Sequence, residues 1–489
     1  MRSAYFRELE KVSFENIKSR LAASDEEVKD MIHTLEYNKR KVIRAYIFDE
    51  SEEDSEKEQN DLYAFNFVGI AVYKDIVIKC YPKYLFQEYS NIEKDETLKN
   101  VIQVLKKYGK SEKGIVGIST DNLKEEFNYL SVIDFIISDY LENGLYTSQK
   151  EVYEINGEGE IDWDKTVNET TAFLVSNNPY YFDMVTKINM HNEVDFFRQL
   201  HKYVITQCST MLKRSGLSDI LSLPIIKFET DDFQFYDNEH VLKQITKELN
   251  VQFISRKQLV LKSLYAYFSR KHDDEDSSNI SLFGTMNFNL VWEKTCAFIL
   301  NNQLNTKLKE IEAIDNHQID VKIENKTLNQ LIPYPVWIPK NAKTAKDYKT
   351  ARKTIQLDIV SIFRKQSKRY FVIWDAKYYN LLLSKERLEH NPGVEDVIKQ
   401  YVYYLAYDDF IKKQKFDFSY NVLIFPSETS EIELIGKVDL DFLRQALNIT
   451  DILLLKIPAK LIFELYLKDK LIDVDELVEK HLESNIFEE

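Results

Sequence analysis

The sequence predicts an α+β protein, with a helix-rich N-terminal and middle part followed by a mixed sheet that carries helices on its faces. Helical periodicity dominates residues 4–40 and 150–270, whereas strand-like segments at 354–379 are followed by a helix and a further strand. The chain has 489 residues, of which 44% are hydrophobic, so it is long enough for two or three domains with separate cores.

The predicted organisation has three parts, residues 1–90, 91–280 and 281–489. Helical patterns followed by apolar runs at 42–48 and 63–73 give the first part a winged-helix-like outline. An acidic run at 49–61 separates the two apolar runs and predicts a loop between paired strands. A winged helix binds DNA or docks on proteins, and this acidic version favours docking at least as strongly. The boundary before the third part is charged and rich in small residues over 270–281.

Charge and cysteine content argue against several classes of protein. Lys and Arg number 65 and Asp and Glu number 80, so the formal net charge is −15 and a protein that simply coats nucleic acid is not expected. The 3 cysteines are far apart and no His/Cys cluster exists, which argues against a disulfide framework and a structural zinc site. The sequence has neither a signal peptide nor a membrane-spanning run, so we expect a cytoplasmic protein without a membrane partner.

A nucleotide cofactor is not expected in this chain. Gly109, Lys110 and Ser111 resemble the end of a phosphate-binding P-loop, but that motif requires a glycine where this sequence has Val104. No other segment has the pattern, so we expect no hydrolysis of GTP or ATP by the chain alone.

The candidate catalytic residues lie in a predicted hairpin. Strands at 354–363 and 369–379 flank a polar turn, and side chains alternate between the two faces of a strand. Asp375 and Lys377 therefore point the same way, and a hairpin symmetric about its turn places Asp358 opposite Asp375. Two carboxylates and one lysine are thus expected on one patch of the sheet.

This patch has the chemistry of a metal-dependent phosphodiesterase. Two close carboxylates repel each other unless a cation lies between them, and Mg²⁺ takes carboxylate, backbone carbonyl and water oxygens. Asp358, Asp375 and the carbonyl of Ala376 are therefore candidate metal ligands, and Lys377 can orient a water or offset phosphate charge. From the residues alone, an exposed strand ladder that carries an Asp–Lys pair explains the pattern equally well.

Basic residues flank the predicted hairpin. Residues 340–370 contain ten of them and two acidic residues, so a local basic groove is compatible with the acidic total. We expect contacts to DNA phosphates from Lys349, Arg352, Lys353, Lys368 and Arg369.

Two further helices contribute candidate residues. Glu293 lies on a largely apolar face of a predicted helix at 287–304, where a metal or partner cation would explain its burial. A helix-edge glutamate that reaches water explains Glu293 more simply. Gln400 and Tyr404 share one face of a second predicted helix and are candidates to support the site from behind, although ordinary helix packing also accounts for them.

These residues resemble a known family. The pattern of Asp358 followed by Asp375-Ala376-Lys377 resembles the motif of the PD-(D/E)xK nuclease superfamily. Glu293 before this pattern and Gln400 and Tyr404 after it add to the resemblance. More narrowly, the chain resembles the McrC-like nuclease subunits of McrBC-type restriction systems and the LlaJI family of restriction endonucleases. The segments that carry this are VGIAVYKDIVIKCYPKYL (68–85), GEGEIDWDKTV (157–167), and QLDIV, WDAKYY and KQYVYYLAY within 356–407. The proline that usually precedes the first aspartate is Leu357 here.

The resemblance implies a restriction endonuclease subunit that works with a separate McrB-like AAA+ GTPase in defence against foreign DNA. The N-terminal and middle parts would dock on that GTPase, with 157–167 as a candidate contact, and the C-terminal domain would cut DNA with Mg²⁺. Asp358 and Asp375 would be metal ligands, Lys377 the catalytic lysine and Glu293 a further acidic member. Two other hypotheses remain, a stand-alone DNA repair nuclease and a non-catalytic DNA-binding or adaptor protein on a degenerate nuclease fold.

Overall fold

The computed structural model describes residues 1–37, 42–46, 62–87, 89–113, 129–147, 149–176, 178–191, 196–229, 237–272, 280–315, 317, 319–443 and 451–483. The chain divides into two compact units. The middle unit contains residues 1–2, 72–75 and 115–283, and the site unit contains residues 3–71, 76–114 and 284–489. Most of the N-terminal 90 residues thus belong to the same unit as the C-terminal part, and the three-part division by sequence stays a prediction.

The strands of the described residues are β1 (Arg2–Arg7), β2 (Val12–Ser13), β3 (Ile43–Tyr46), β4 (Leu62–Phe65), β5 (Val68–Tyr73), β6 (Ile76–Tyr81), β7 (Gln149–Ile155), β8 (Glu160–Ile161), β9 (Ala172–Val175), β10 (Asn178–Tyr181), β11 (Val185–His191), β12 (Ile280–Thr285), β13 (Val336–Trp337), β14 (Lys349–Thr350), β15 (Ile359–Lys365), β16 (Lys368–Ala376), β17 (Leu382–Leu383), β18 (Leu388–Glu389), β19 (Phe418–Ser427), β20 (Glu433–Val438) and β21 (Ile452–Pro458).

The α-helices of the described residues are α1 (Phe14–Leu21), α2 (Asp25–Tyr37), α3 (Asn91–Lys113), α4 (Tyr129–Asn143), α5 (Trp163–Glu169), α6 (Phe196–Ser215), α7 (Ser218–Leu221), α8 (Asn238–Val251), α9 (Ser255–His272), α10 (Phe288–Ile299), α11 (Val394–Gln414), α12 (Ala459–Leu467) and α13 (Val474–Val478). Helices and strands therefore both contribute substantially, and the predicted α+β class is confirmed.

The N-terminus of the site unit corrects the prediction of a helical segment at 4–40. The chain begins with β1, in which buried Ala4 and Phe6 alternate with more exposed neighbours, as a strand requires. After β2, Ser13 caps α1 by accepting a hydrogen bond from the Asn16 amide at 3.3 Å. Helices α1 and α2 lead to a three-stranded sheet with the order β2-β4-β3. The acidic run at 49–61 falls between β3 and β4 but lies outside the described residues.

The middle unit also corrects the prediction. Residues 150–270 were expected to be mostly helical, but the structure places strands β7 to β11 before its helices α6 to α9. Strands β7 and β11 pair along their whole length, from Gln149 opposite His191 to Ile155 opposite Val185. This pairing joins segments about 30 residues apart, and helical periodicity within either segment cannot reveal it.

The site unit contains a five-stranded mixed sheet with the order β15-β16-β19-β21-β20. Strands β15 and β16 form an antiparallel hairpin, β16, β19 and β21 are parallel, and β20 is antiparallel to β21. Helix α11 packs on β16 and β19, and α10 and α12 also contact the sheet, which fits the prediction of a mixed sheet with helices. The core under α11 includes Phe371, Ile373 and Leu423 from the strands, with Tyr401 and Tyr407 from the helix.

The bounds of three predicted elements need correction. The strand predicted at 369–379 runs from Lys368 to Ala376, so Lys377 lies just beyond it. The helix predicted at 287–304 ends at Ile299, because Asn301 has a φ of 53° in the left-handed region, which an α-helix cannot include. The strand predicted at 354–363 begins only at Ile359, so Asp358 directly precedes β15. The hairpin turn falls at residues 366–367, with Lys365 opposite Lys368, as the symmetric hairpin requires.

Candidate active site

The two candidate aspartates lie at the open end of the β15–β16 hairpin. The last ladder pair is Ile359 with Trp374, so Asp358 and Asp375 are the next residues of the two strands in the same register. The amide of Ala376 donates a hydrogen bond to Asp358 Oδ2 at 3.1 Å. The hairpin therefore brings the carboxylate of Asp358 to the segment that carries Asp375 and Lys377.

Lys377 is placed by one backbone bond and two carboxylates. Its amide donates to the carbonyl of Ile424 at 2.9 Å, one residue beyond the end of β16. Its Nζ lies 2.8 Å from Asp375 Oδ2 and 3.3 Å from Asp396 Oδ1. Burial lowers the pKa of Lys377, but Asp375 and Asp396 more than offset this effect and raise it. The lysine therefore remains a cation, which suits the neutralisation of phosphate charge and not the removal of a proton.

Asp375 is buried without a full set of partners. Its side chain is 5% exposed, and the ion pair to Lys377 lacks the angles of a hydrogen bond. Among the described residues, this ion pair is the interaction of Asp375 Oδ2, and no hydrogen bond adds to it. Burial of a carboxylate oxygen without hydrogen bonds costs free energy unless a ligand supplies the missing interaction.

The surrounding carboxylates repel one another. Burial raises the pKa of Asp358 to about 7, and the neighbouring Asp375 and Glu293 add to the effect. Burial also raises the pKa of Glu293 on α10, with a further contribution from Asp375. Glu293, Asp358 and Asp375 therefore form one electrostatic group, in which a bound cation would relieve the repulsion.

The donor set fits a hard divalent cation such as Mg²⁺. The carboxylates of Asp358 and Asp375 are close enough to repel each other, and Asp375 Oδ2 has an ion pair but no hydrogen bond among the described residues. These are the oxygen ligands that Mg²⁺ prefers. Within the described ranges, no three side chains of the His, Cys, Asp and Glu types are already arranged as a metal site. The two aspartates would therefore need carbonyl or water oxygens to complete the coordination.

Three residues near the site were not predicted from the sequence. The Asn302 amide group donates to the carbonyl of Asp358 at 2.9 Å and accepts from the amide of Val360 at 3.1 Å, so it fixes the start of β15. Asp396 binds Lys377 from the first turn of α11. Tyr403 on the same helix has its pKa raised to about 12 by burial and by Asp375 and Asp358. Asp396 is four residues before Gln400, so helical spacing was an available signal for it.

Gln400 and Tyr404 occupy different levels of the sheet. Gln400 is fully buried, and its Nε2 donates to the carbonyl of Val422 at 3.4 Å, next to the level of Asp375 in the ladder. The Tyr404 hydroxyl instead forms a 2.6 Å hydrogen bond with Ser419, which pairs with Phe371. The structure therefore brings Gln400 towards the site but places Tyr404 further back along the helix, where it packs against the sheet.

The predicted phosphate-binding residues form two separate groups. Lys349, Arg352 and Lys353 are exposed in the segment before Leu357. Lys368 and Arg369 lie at the hairpin turn, seven and six residues before Asp375, which is roughly 20 Å along a strand. Arg369 donates to the carbonyl of Lys415 at 2.7 Å and thus stabilises the end of α11. The structure does not bring this second group to the carboxylates.

A cavity of about 500 Å³ opens beside the acidic group. Its walls include Tyr108 of α3, Glu293 and Phe298 of α10, and Asn302, Leu357 and Asp358. Its lining combines two carboxylates with two aromatic rings, and it provides space for part of a substrate next to the candidate metal ligands.

The sequence comparison identifies the family. Residues 67–465 match the LlaJI restriction endonuclease family. The chain belongs to the LlaJI restriction endonuclease family. Its members include restriction nucleases, and all the site residues described above lie within the matched part. The predicted family is therefore confirmed.

A curated relative supports membership of the LlaJI family. The "Type II restriction enzyme BsuMI component YdjA" of Bacillus subtilis (strain 168) is 30% identical over 426 residues, which cover 84% of this chain and 83% of the relative. Both sequence comparisons therefore point to restriction enzymes.

Two solved structures from Thermococcus gammatolerans were also found. One is a refined half-complex of McrB AAA+ hexamers with bound McrC, with a TM-score of 0.39, 12% identity, and coverage of 96% of this chain and 99% of that chain. The other is the McrBC complex, with a TM-score of 0.25, 13% identity, and coverage of 54% and 79%. These scores are too low to establish a shared fold.

None of the helices in the described ranges combines the length and the hydropathy that a membrane-spanning helix needs.

Proposed function

We propose that this chain is the nuclease subunit of a GTP-dependent, McrBC-like restriction system of the LlaJI type. It hydrolyses DNA phosphodiester bonds with Mg²⁺ when assembled with a McrB-like AAA+ GTPase. The observation that carries the proposal is the buried carboxylate of Asp375, which pairs with Lys377 and lies within electrostatic reach of Asp358. Two carboxylates and a cation at one end of a hairpin are the groups that a metal-dependent phosphodiesterase needs.

In the proposed mechanism, Asp358, Asp375 and the carbonyl of Ala376 would hold Mg²⁺. When bound, Mg²⁺ supplies an acidic water and stabilises charge that develops on the phosphate. Lys377 stays protonated between its two carboxylates, so it offsets phosphate charge and donates a hydrogen bond to orient the attacking water. Glu293 interacts electrostatically with both aspartates and would increase the affinity of the acidic group for a cation.

The order of elements around this site supports the PD-(D/E)xK interpretation. Helix α10 carries Glu293, the β15–β16 hairpin carries the Asp and Asp-x-Lys residues, and α11 connects to the parallel strand β19. The three-stranded sheet with α1 and α2 likewise supports a winged-helix-like start. We propose the cytoplasm as the location, since restriction acts on DNA there.

Partner docking is supported by exposed apolar side chains in the middle unit. Trp163 on α5, Phe173 and Leu174 on β9 and Phe182 after β10 are all more than half exposed. Apolar patches of this kind are typical of protein interaction surfaces. Trp163 belongs to the 157–167 segment, and the Bacillus subtilis relative is named a component of a restriction enzyme, which fits a multi-subunit assembly.

We propose DNA contacts for the exposed basic group Lys349, Arg352 and Lys353. These residues are exposed in the segment that leads to Asp358, and phosphate contacts from them would position a duplex on the site. Lys368 and Arg369 would contact phosphates only at the far end of the hairpin. Loss of a phosphate contact lowers the salt dependence of DNA binding by about one unit of slope.

The function is tested by cleavage of plasmid and phage DNA with Mg²⁺, with and without the GTPase partner and GTP. We expect cleavage only in the complete mixture, and none with Asp375→Ala or Lys377→Ala. Asp409→Ala is the matched control, because Asp409 forms an exposed ion pair with Lys413 on α11. Cleavage without the partner would favour the stand-alone repair nuclease. Partner or DNA binding without cleavage under any condition would favour the non-catalytic adaptor.

A further inference from the structure

A buried hydrogen bond connects the N-terminal strand to the residue after Lys377. Tyr378 donates its hydroxyl hydrogen to Glu8 Oε2 at 2.7 Å, although the two residues are 370 positions apart. Glu8 directly follows β1, and its amide bonds the carbonyl of Tyr81 at 2.9 Å. Both side chains are almost fully buried, so this contact is stronger than a hydrogen bond at the surface.

The segment after β6 completes this contact. The amide of Lys83 lies 3.2 Å from both Glu8 Oε2 and the Tyr378 hydroxyl and donates to them. The Lys83 ammonium lies 4.7 Å from the centre of the Tyr378 ring. The Tyr378 ring also packs on Phe288 of α10, with ring centroids 5.3 Å apart. Tyr378 is therefore held from the N-terminal strand, from the β6–α3 connection and from α10.

A second contact holds the same connection to the neighbouring strand. Glu428, directly after β19, accepts hydrogen bonds from the amides of Phe86 and Gln87 and from the Tyr89 hydroxyl. Strands β16 and β19 are adjacent and parallel, so Tyr378 and Glu428 follow the same edge of the sheet. The β6–α3 connection thus joins the two strand ends next to the candidate site.

We propose that Glu8 is a positioning residue that fixes Lys377 in the candidate site through the hydroxyl of Tyr378. Lys377 lies beyond the last residue of β16, so its place depends on what holds the chain on either side. The bond from its amide to Ile424 fixes one side, and the Tyr378–Glu8 contact fixes the other. A shift of about 1 Å in a catalytic group is enough to lower a rate substantially.

The first test is kinetic and rests on the proposed nuclease function. Tyr378→Phe removes the hydroxyl but keeps the ring, so the full chain is expected to fold. With the GTPase partner, GTP and Mg²⁺, we expect kcat for DNA cleavage to fall about tenfold while KM for DNA stays unchanged. Tyr379→Phe is the matched control and should keep wild-type values, because it makes the same change one residue away.

A second pair of variants separates hydrogen bonding from simple loss of a side chain. Glu8→Gln keeps an oxygen that accepts from Tyr378, so it should retain most of kcat, whereas Glu8→Ala should match Tyr378→Phe. Glu10→Gln is the control for the chemical change, because Glu10 binds Arg20 within the N-terminal region. Equal kcat values for Glu8→Ala and wild type, per folded molecule, would overturn the proposal.

Hydrogen exchange tests the contact without any enzymatic activity. The amides of residues 376–379 should exchange about tenfold faster in Tyr378→Phe and Glu8→Ala, and at the wild-type rate in Tyr379→Phe. Unchanged exchange in Tyr378→Phe would contradict the claim that this contact fixes the segment. Faster exchange with unchanged kcat would show that the Tyr378–Glu8 contact has a structural role only, and would overturn the proposal. If wild type binds the partner but cleaves no DNA, the nuclease function fails, and the positioning role of Glu8 fails with it.

Discussion

Two buried aspartates, one in each unit, are equally exposed but differ in the hydrogen-bond donors and charges around them. The side chains of Asp139 in the middle unit and Asp375 in the site unit are both 5% exposed. Arg256 donates two hydrogen bonds to Asp139, at 2.9 and 2.8 Å, and Asn143 donates a third at 3.1 Å. Asp375 has a single ion pair with Lys377 and the like charges of Asp358 and Glu293 nearby.

The difference is the one expected between a structural cluster and the proposed catalytic one. Asp139 has a planar, bidentate cation partner, so its burial is fully compensated within the chain. Around it, His201 accepts a hydrogen bond from the amide of Tyr146 at 3.0 Å. Asp375 has one ion pair with Lys377 and like charges nearby, so its burial is compensated less fully, as expected where a ligand completes the site. The bidentate partner of Asp139 and the like charges near Asp375 thus distinguish two aspartates of equal exposure.

The largest predicted contrast is between Asp375→Ala and Asp139→Ala. We expect Asp375→Ala to lower the rate of DNA cleavage by about 10³-fold, as for loss of a main electrostatic stabiliser, with little loss of folding stability. Asp139→Ala should instead lower the free energy of unfolding by about 2 kcal/mol, because the hydrogen bonds from the partly exposed Arg256 are lost. Urea unfolding and cleavage rate per folded molecule measure the two effects. The comparison fails if Asp375→Ala is the more destabilising variant.

The second prediction concerns the cation of the site. Lys377→Ala should lower the cleavage rate by about 10²-fold, because Asp375 and the phosphate both lose their positive partner. Lys377→Arg should recover only part of the rate, since a planar guanidinium does not occupy the position of an ammonium. Lys413→Ala, which removes an exposed lysine of α11, is the control. A wild-type rate for Lys377→Ala would exclude this lysine from catalysis.

The third prediction concerns folding stability. A fall in pH should reduce the stability contribution of His201 near Asp139 and increase that of Asp358 in the metal-free site. Burial lowers the pKa of His201 to about 4, below its unfolded value of about 6.5. The neutral form is favoured in the folded state, so its stability contribution is complete above pH 6.5 and is lost as the pH falls towards 4. The loss is about 3 kcal/mol at most. His201→Gln should reduce this dependence in unfolding experiments from pH 4 to 7.

At the site, the pKa of Asp358 is raised to about 7, above its unfolded value of about 3.9. The contribution of Asp358 to the stability of the metal-free protein is therefore present below pH 4 and is lost as the pH rises through 7. Added Mg²⁺ should raise the melting temperature more at pH 8 than at pH 6, since protons compete with the metal for this carboxylate. An Mg²⁺ effect that is larger at pH 6 would contradict this interpretation.

The smallest predicted effect lies in the hairpin turn, away from both clusters. Gln366 has a φ of 54°, a conformation that glycine adopts more readily than other residues. Gln366→Gly should raise the free energy of unfolding by about 0.5 kcal/mol and leave cleavage unchanged. Denaturant unfolding measures the gain, and a loss of stability would show that the Gln366 side chain contributes more than its backbone costs.

The hairpin could be predicted because its information is local. Alternation along two strands and a symmetric turn suffice to bring Asp358 to Asp375 and Lys377. The sequence also predicts the α+β class and the family. The partners of these residues could not be predicted in the same way, because Asn302 approaches through a loop and Asp396 through the packing of α11 on the sheet.

Other parts depend on long-range pairing, which local periodicity does not show. β1 was predicted as helix, and it is a strand whose following residue, Glu8, contacts Tyr378 across 370 positions. Strands β7 and β11 were also predicted as helical and are formed by pairing with each other. Tyr404 shares a face with Gln400 as predicted, but one helical turn moves its hydroxyl to Ser419 instead of the site.

The most direct test of the central claim is the dependence of DNA cleavage on Mg²⁺ concentration, measured with the GTPase partner and GTP for wild type and Asp375→Asn. This variant keeps the shape of the side chain and removes its charge. We predict saturable, Mg²⁺-dependent cleavage by wild type and none by Asp375→Asn at any concentration, while partner binding is equal. Equal cleavage by both proteins would contradict the claim that the Asp375 carboxylate belongs to a metal-dependent nuclease site.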